Sequence, residues 1–122
     1  MESAPFQLDR AQALATVGGD TEFLAELVGI FEAACPVLLN DIQVALANAD
    51  LTAAGWSARL LRVAAENIKA CNVTRLAQLL ETLAREKKPR ASADTFRALQ
   101  NEIARLKPVL GDLTGEATRL VF

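Results

Sequence analysis

The sequence predicts an all-α protein, an antiparallel up-and-down four-helix bundle preceded by a short N-terminal helix. Three observations carry this expectation. Ala and Leu dominate a composition that is 52% hydrophobic and holds no Tyr, and with few β-branched residues that balance favours helix over sheet. Apolar residues recur in steps of three and four along most of the chain, as amphipathic helices require. The breaks between these stretches are short, and short connections make neighbouring helices antiparallel. At 122 residues the chain has the size of one ordinary domain, with a core over about 6–110 and a tail over 111–122.

Residues 6–17 read as the short helix, with Phe6, Leu8, Ala11, Leu14 and Ala15 apolar. Gly18 and Gly19 suit its C-terminus, where a left-handed residue is needed. Asp20 is then a natural N-cap, and Glu22 a first-turn acid favoured by the helix dipole. One stripe follows through Leu24, Leu27, Val28, Phe31, Cys35, Leu38, Ile42, Ala45 and Leu46. Pro36 removes a backbone donor within it, but the stripe keeps its phase, so a kink is expected rather than a break. After a turn at Asn48, Ala49 and Asp50, residues 51–71 form the next helix, with Ser57, Leu61, Ala64, Ile68 and Cys71 as its seam. Asn72 or Thr74 opens another helix, which runs to about Arg85 on Val73, Leu76, Leu79, Leu80 and Leu83. Residues 86–90 form a loop. Ser92 or Asp94 then caps a last long helix built on Phe96, Leu99, Ile103, Leu106 and Leu110, which is expected to end near Gly111. Helices of about 29 and 21 residues span roughly 43 and 31 Å, so the first long helix should overhang the second.

Several function classes are excluded early. A net charge of −2 and a pI near 5.1 argue against a nucleic-acid binder. No apolar run approaches the roughly 20 residues that span a bilayer, and the polar N-terminus lacks the layout of a signal peptide. A soluble, cytoplasmic protein is the simplest expectation. Cys35 and Cys71 both fall on apolar stripes and are expected to be buried, reduced thiols rather than a disulfide or metal site. With no His, zinc chemistry of the usual kind is removed, and no metal or cofactor is expected. Nor is an enzyme: Glu22 and Glu26 read as an exposed like-charge pair, and nothing assembles a nucleophile, a base and an oxyanion donor.

The helix over 51–71 carries the functional question. On a wheel of 100° per residue, Arg59, Arg62, Glu66 and Lys69 lie opposite its seam, with Gly55 and Val63 beside Arg59. Glu66 can pair with Arg62 or with Lys69. Taken alone, this is a solvated charged face. Trp56 also flanks Arg59, and a Trp, Arg and apolar mixture is typical of interface hot spots; partial burial of Trp56 against a neighbouring helix explains it equally well. Residues 85–90 carry four positive charges and one negative, which suits a solvated turn or a contact for an acidic partner.

The stretch from Ala58 to Ala70 resembles the signature helix of histidine-containing phosphotransfer (HPt) domains, approximately Ala-His-x-Leu-Lys-Gly-x-x-x-Asn-x-Gly-Ala. Ala58, Leu61, Asn67 and Ala70 match, and Arg62 stands conservatively for the Lys. Phe6-Gln7-Leu8-Asp9-Arg10 followed by Gly18-Gly19-Asp20 is similar to the family's lead-in. Phe31 with Ala34-Cys35-Pro36 resembles its Phe-x-x-x-x-Pro, and Leu76 to Glu81 its fourth-helix opening.

The departures shape what the resemblance implies. Arg59 occupies the phosphoacceptor position, Val63 the nearby Gly and Lys69 the second Gly. A guanidinium, with a pKa above about 12, offers no useful lone pair at neutral pH, and the chain holds no other His. Val63 fills part of the space that the glycine leaves for an incoming receiver. The expectation is therefore a catalytically inactive pseudo-phosphotransfer module of two-component signalling that docks a protein without phosphotransfer. The implied docking face comprises Arg59, Arg62, Val63, Glu66, Lys69, Gly55 and Trp56. A response-regulator receiver domain is the first partner expected, its acidic pocket facing Arg59. A histidine kinase is the second, and a homodimer through Val63 the third. The alternative is a structural or dimerisation domain of a larger signalling protein.

Overall fold

The computed structural model describes Gly18 and residues 20–121, with side chains through Gly111 except that of Thr21. Four helices fill this span: α1 Thr21–Ala47, α2 Leu51–Asn67, α3 Cys71–Arg85 and α4 Pro89–Val121. The helix expected over 6–17 lies outside the described residues. Gly18, which follows it, has a left-handed backbone with φ 67°.

The expectations for the start of α1 hold. Asp20 Oδ1 accepts from the Phe23 amide at 3.0 Å, and Glu22 lies in the first turn, beside the positive end of the dipole. Pro36 sits inside a helix that continues to Ala47. α2 opens by the same means, with Asp50 Oδ1 accepting from the Ala53 amide at 3.1 Å.

All three connections use one device. The amide of Ala49 donates to Leu46 O and that of Asp50 to Ala45 O; Lys69 and Ala70 repeat this onto Glu66 and Ala65, and Lys87 and Lys88 onto Ala84 and Leu83. This nested pair of bonds is the Schellman closure, which satisfies the last carbonyls of a helix and needs one left-handed residue. Ala49, Lys69 and Lys87 supply it at φ 57°, 57° and 60°. None is a glycine, although an L side chain held there costs roughly 1–2 kcal/mol.

That choice explains where the sequence expectations shift. α2 ends at Asn67, not Cys71; Ile68, Lys69 and Ala70 form the turn, and Cys71 opens α3. The seam seemed to run on because Ile68 is fully buried although it lies past the helix end. Cys71, outside that helix, is exposed rather than buried, whereas Cys35 is buried as expected. α3 starts without a side-chain cap at Ala70, and the Thr74 hydroxyl donates back to Ala70 O at 3.0 Å. α4 begins at Pro89 rather than at a cap on Ser92 or Asp94; proline presets the helical φ where no amide is needed. It also runs through Pro108 and Gly111 to Val121 instead of ending near Gly111.

Each helix packs on its neighbours in sequence, and α4 packs back on α1. The enclosed core contains Leu24, Phe31 and Ile42 from α1, Leu61 from α2, Leu80 from α3, and Leu99, Leu106 and Leu110 from α4. Burying each such side chain contributes about 1.5–3 kcal/mol. The face that α2 turns inward is mostly small: Ala54, Ser57, Ala58 and Ala65 join Leu61. Small side chains let α3 come close, and a Cβ added at Gly55 would lie 3.4 Å from that of Ala84. Burial pushes the Cys35 thiol up to about 12, against a smaller lowering by Lys107. No described helix is long and apolar enough to cross a membrane.

Candidate functional site

The outer side of α2 is organised around two arginines one turn apart. Arg59 is exposed, and its guanidinium carbon lies 5.8 Å from the ring centroid of Trp56, within cation–π range. Trp56 is itself 61% exposed. Of the two accounts of this residue, burial against a neighbouring helix is therefore set aside. Val63, one turn past Arg59, is 44% exposed. Position 59 thus points outward, with an aromatic ring on one side and an aliphatic side chain on the other.

Arg62 behaves differently. Its Nε donates to Glu81 Oε1 on α3 at 2.9 Å, and its Nη1 reaches Glu66 Oε2 at 3.3 Å. The Glu81 hydrogen bond outweighs partial desolvation and, with the nearby charges of Glu81 and Glu66, holds the Arg62 guanidinium above its ordinary value. With its side chain 22% exposed, Arg62 is committed to the α2–α3 contact rather than presented with Arg59. Glu66 pairs with Arg62, settling which of its two cations it takes.

Lys69 does not share the helical face on which the sequence placed it. It lies in the turn after α2 with a left-handed backbone. Gly55, by contrast, sits beside Arg59 as expected, at the close approach of α2 to α3.

An open groove of about 830 Å³ runs beside Trp56 and Arg59, between the start of α2 and the end of α3, and Asp50, Gly55, Arg85 and Lys87 also line it. Its two carboxylates have other attachments: Asp50 caps α2, and Glu81 holds Arg62. The groove is thus cationic and partly aromatic, suited to a carboxylate-rich partner surface. The sequence missed this convergence. Its one signal was the basic run at 85–90, which the fold brings to the same groove as Arg59. Among the described residues, no group of three or more His, Cys, Asp or Glu could hold a metal ion.

No protein-family model matches the chain, and no curated protein matches it.

Proposed function

We propose that this chain is an HPt-like module that has lost its phosphoacceptor and docks a receiver domain, or the kinase that serves one, without chemistry. The observation that carries the reading is the exposed Arg59 over Trp56, at the place where the resemblance puts the phosphoacceptor, in a chain with no His. The left-handed backbone at Lys69 supports it as well, because the resemblance expects glycine there, the residue that adopts this conformation at least cost. On this reading the three-residue connections join antiparallel neighbours in an up-and-down bundle; the short helix expected over 6–17 lies outside the described residues. The partner is read as an acidic surface of a two-component signalling protein in the cytoplasm. Arg59, Arg85 and Lys87 meet its carboxylates while Trp56 and Val63 supply apolar contact.

The experiment restores the missing parts. Arg59→His with Val63→Gly, incubated with a small phosphodonor or a phosphorylated receiver, is expected to gain an acid-labile phosphate that the natural chain does not take. A folded double variant that stays unlabelled counts against position 59 as the old acceptor site.

A further inference from the structure

The groove beside Trp56 holds more positive charge than the fold uses. Arg59, Arg85 and Lys87 all line it, and among the described residues no carboxylate pairs with any of them. The two acids that share the lining are engaged elsewhere, Asp50 with the Ala53 amide and Glu81 with Arg62. Arg59 stands on α2, whereas Arg85 ends α3 and Lys87 lies in the turn beyond it. Cations therefore reach the groove from both helices.

Chemistry and size select the ligand. Arg59 lies over the Trp56 ring, and a guanidinium placed so uses its face there and keeps its in-plane N–H edge for an oxyanion. Three cations on two helices suit an anion whose charges are spread along a chain, as in a di- or triphosphate, better than a single carboxylate. Trp56 adds a flat surface, 61% exposed, on which a planar ring can stack. Part of the lining has little bulk: a Cβ on Gly55 would stand 3.4 Å from that of Ala84. The groove volume of about 830 Å³ falls within the roughly 300–1,000 Å³ of small-molecule sites.

We propose that this groove binds a nucleoside di- or triphosphate, with its base against Trp56 and its phosphates among Arg59, Arg85 and Lys87. The inference needs neither the family resemblance nor a receiver, and so goes beyond the reading above. Because both use the same cations, a bound nucleotide and a docked protein exclude one another.

Trp56 is the chain's one Trp, and there is no Tyr, so intrinsic fluorescence reports on the groove itself. The test titrates the full chain with ATP, adenosine and tripolyphosphate at about 0.15 M salt, where loose surface attraction is screened, and calorimetry gives the affinities. ATP is expected to quench Trp56 saturably and to bind at least tenfold tighter than either fragment. Arg85→Glu and Lys87→Glu are each expected to weaken ATP at least tenfold with helicity retained. Arg97→Glu, at an exposed position of α4 outside the groove, is expected to weaken it by less than twofold. Absence of saturable quenching by ATP, or indifference to both groove variants, overturns the proposal. So does tripolyphosphate binding as tightly as ATP, which leaves a bare polyanion surface, or adenosine doing so, which leaves a slot for rings alone. An Asp- and Glu-rich peptide that binds tighter than ATP also overturns it, by assigning the groove to protein carboxylates.

Discussion

Arg62 Nε donates to Glu81 Oε1 across 2.9 Å from α2 to α3, while Arg59, three residues earlier on the same helix, lies over the Trp56 ring at 5.8 Å. Two arginines that look equivalent on a helical wheel thus do different things. One fastens a helix pair and the other stands outside it.

Stability should separate them. Arg62→Ala strands a Glu81 carboxylate whose side chain is only 20% exposed, and the melting temperature is expected to fall. Arg59→Ala removes an outward side chain and should change stability by no more than about 0.5 kcal/mol. Thermal unfolding of both variants checks this, and equal losses would contradict the assignment.

Ser92 offers a gain. Its side chain is fully buried one turn into α4, and its hydroxyl has no hydrogen-bond partner. A buried unpaired hydroxyl costs about 1–3 kcal/mol, and alanine is also the better helix former. Ser92→Ala is expected to raise unfolding stability by about 1 kcal/mol in urea titrations. A loss of stability would mean that the hydroxyl has a partner.

The Schellman turns predict a second gain. Lys69→Gly relieves a left-handed L residue and should stabilise the fold by about 1 kcal/mol. Lys87→Gly, at φ 60°, should act alike. The urea midpoint is again the readout, and a decrease in both variants would show that the turns gain more from their side chains than from relaxed backbone.

The two cysteines give a pH-dependent outcome. Cys71 is exposed and Cys35 buried, so one thiol should react rapidly with a disulfide reagent and the other only on unfolding. The Cys35 thiol is pushed from 9.0 up to about 12 in the fold. Above 9 the unfolded chain releases a proton that the folded chain keeps. Its stabilising contribution is therefore complete below about pH 9 and declines through about pH 12, by about 1.4 kcal/mol for each pH unit. Comparing the natural chain with Cys35→Ala in urea at neutral pH and near pH 10 should show the steeper loss in the natural chain. Parallel losses would remove Cys35 as the cause.

Much of this fold was legible in the sequence, because its signals are local. The apolar steps located α1, and Asp20 accepts the amide expected of an N-cap; Asp50, read only as a turn residue, caps α2 in the same way. The end of α2 was hidden because Lys69, not glycine, turns the chain there, and the buried Ile68 extended the pattern past the true stop. The start of α4 was displaced because Ser92 looks like a cap, while Pro89, the residue suited to a first helical position, was read as loop. At the candidate site, the outward setting of Arg59 followed from α2 alone, whereas that of Trp56 stayed open until its 61% exposure was seen. The partner of Arg62 did not, since Glu81 is 19 residues away on another helix. The same holds for Arg85 and Lys87, which only the packing of α3 on α2 brings to the groove. Contacts between helices leave no spacing signature in one sequence.

On the proposed reading, the ridge at position 59 binds a partner and transfers nothing. The most direct measurement titrates the natural chain and Arg59→Glu with phosphorylated, radiolabelled receiver domains and follows binding and label together. A receiver is expected to bind the natural chain, to lose at least tenfold in affinity for Arg59→Glu, and to leave no label on either. Label passing to the natural chain, or unchanged binding after the charge reversal, would contradict it.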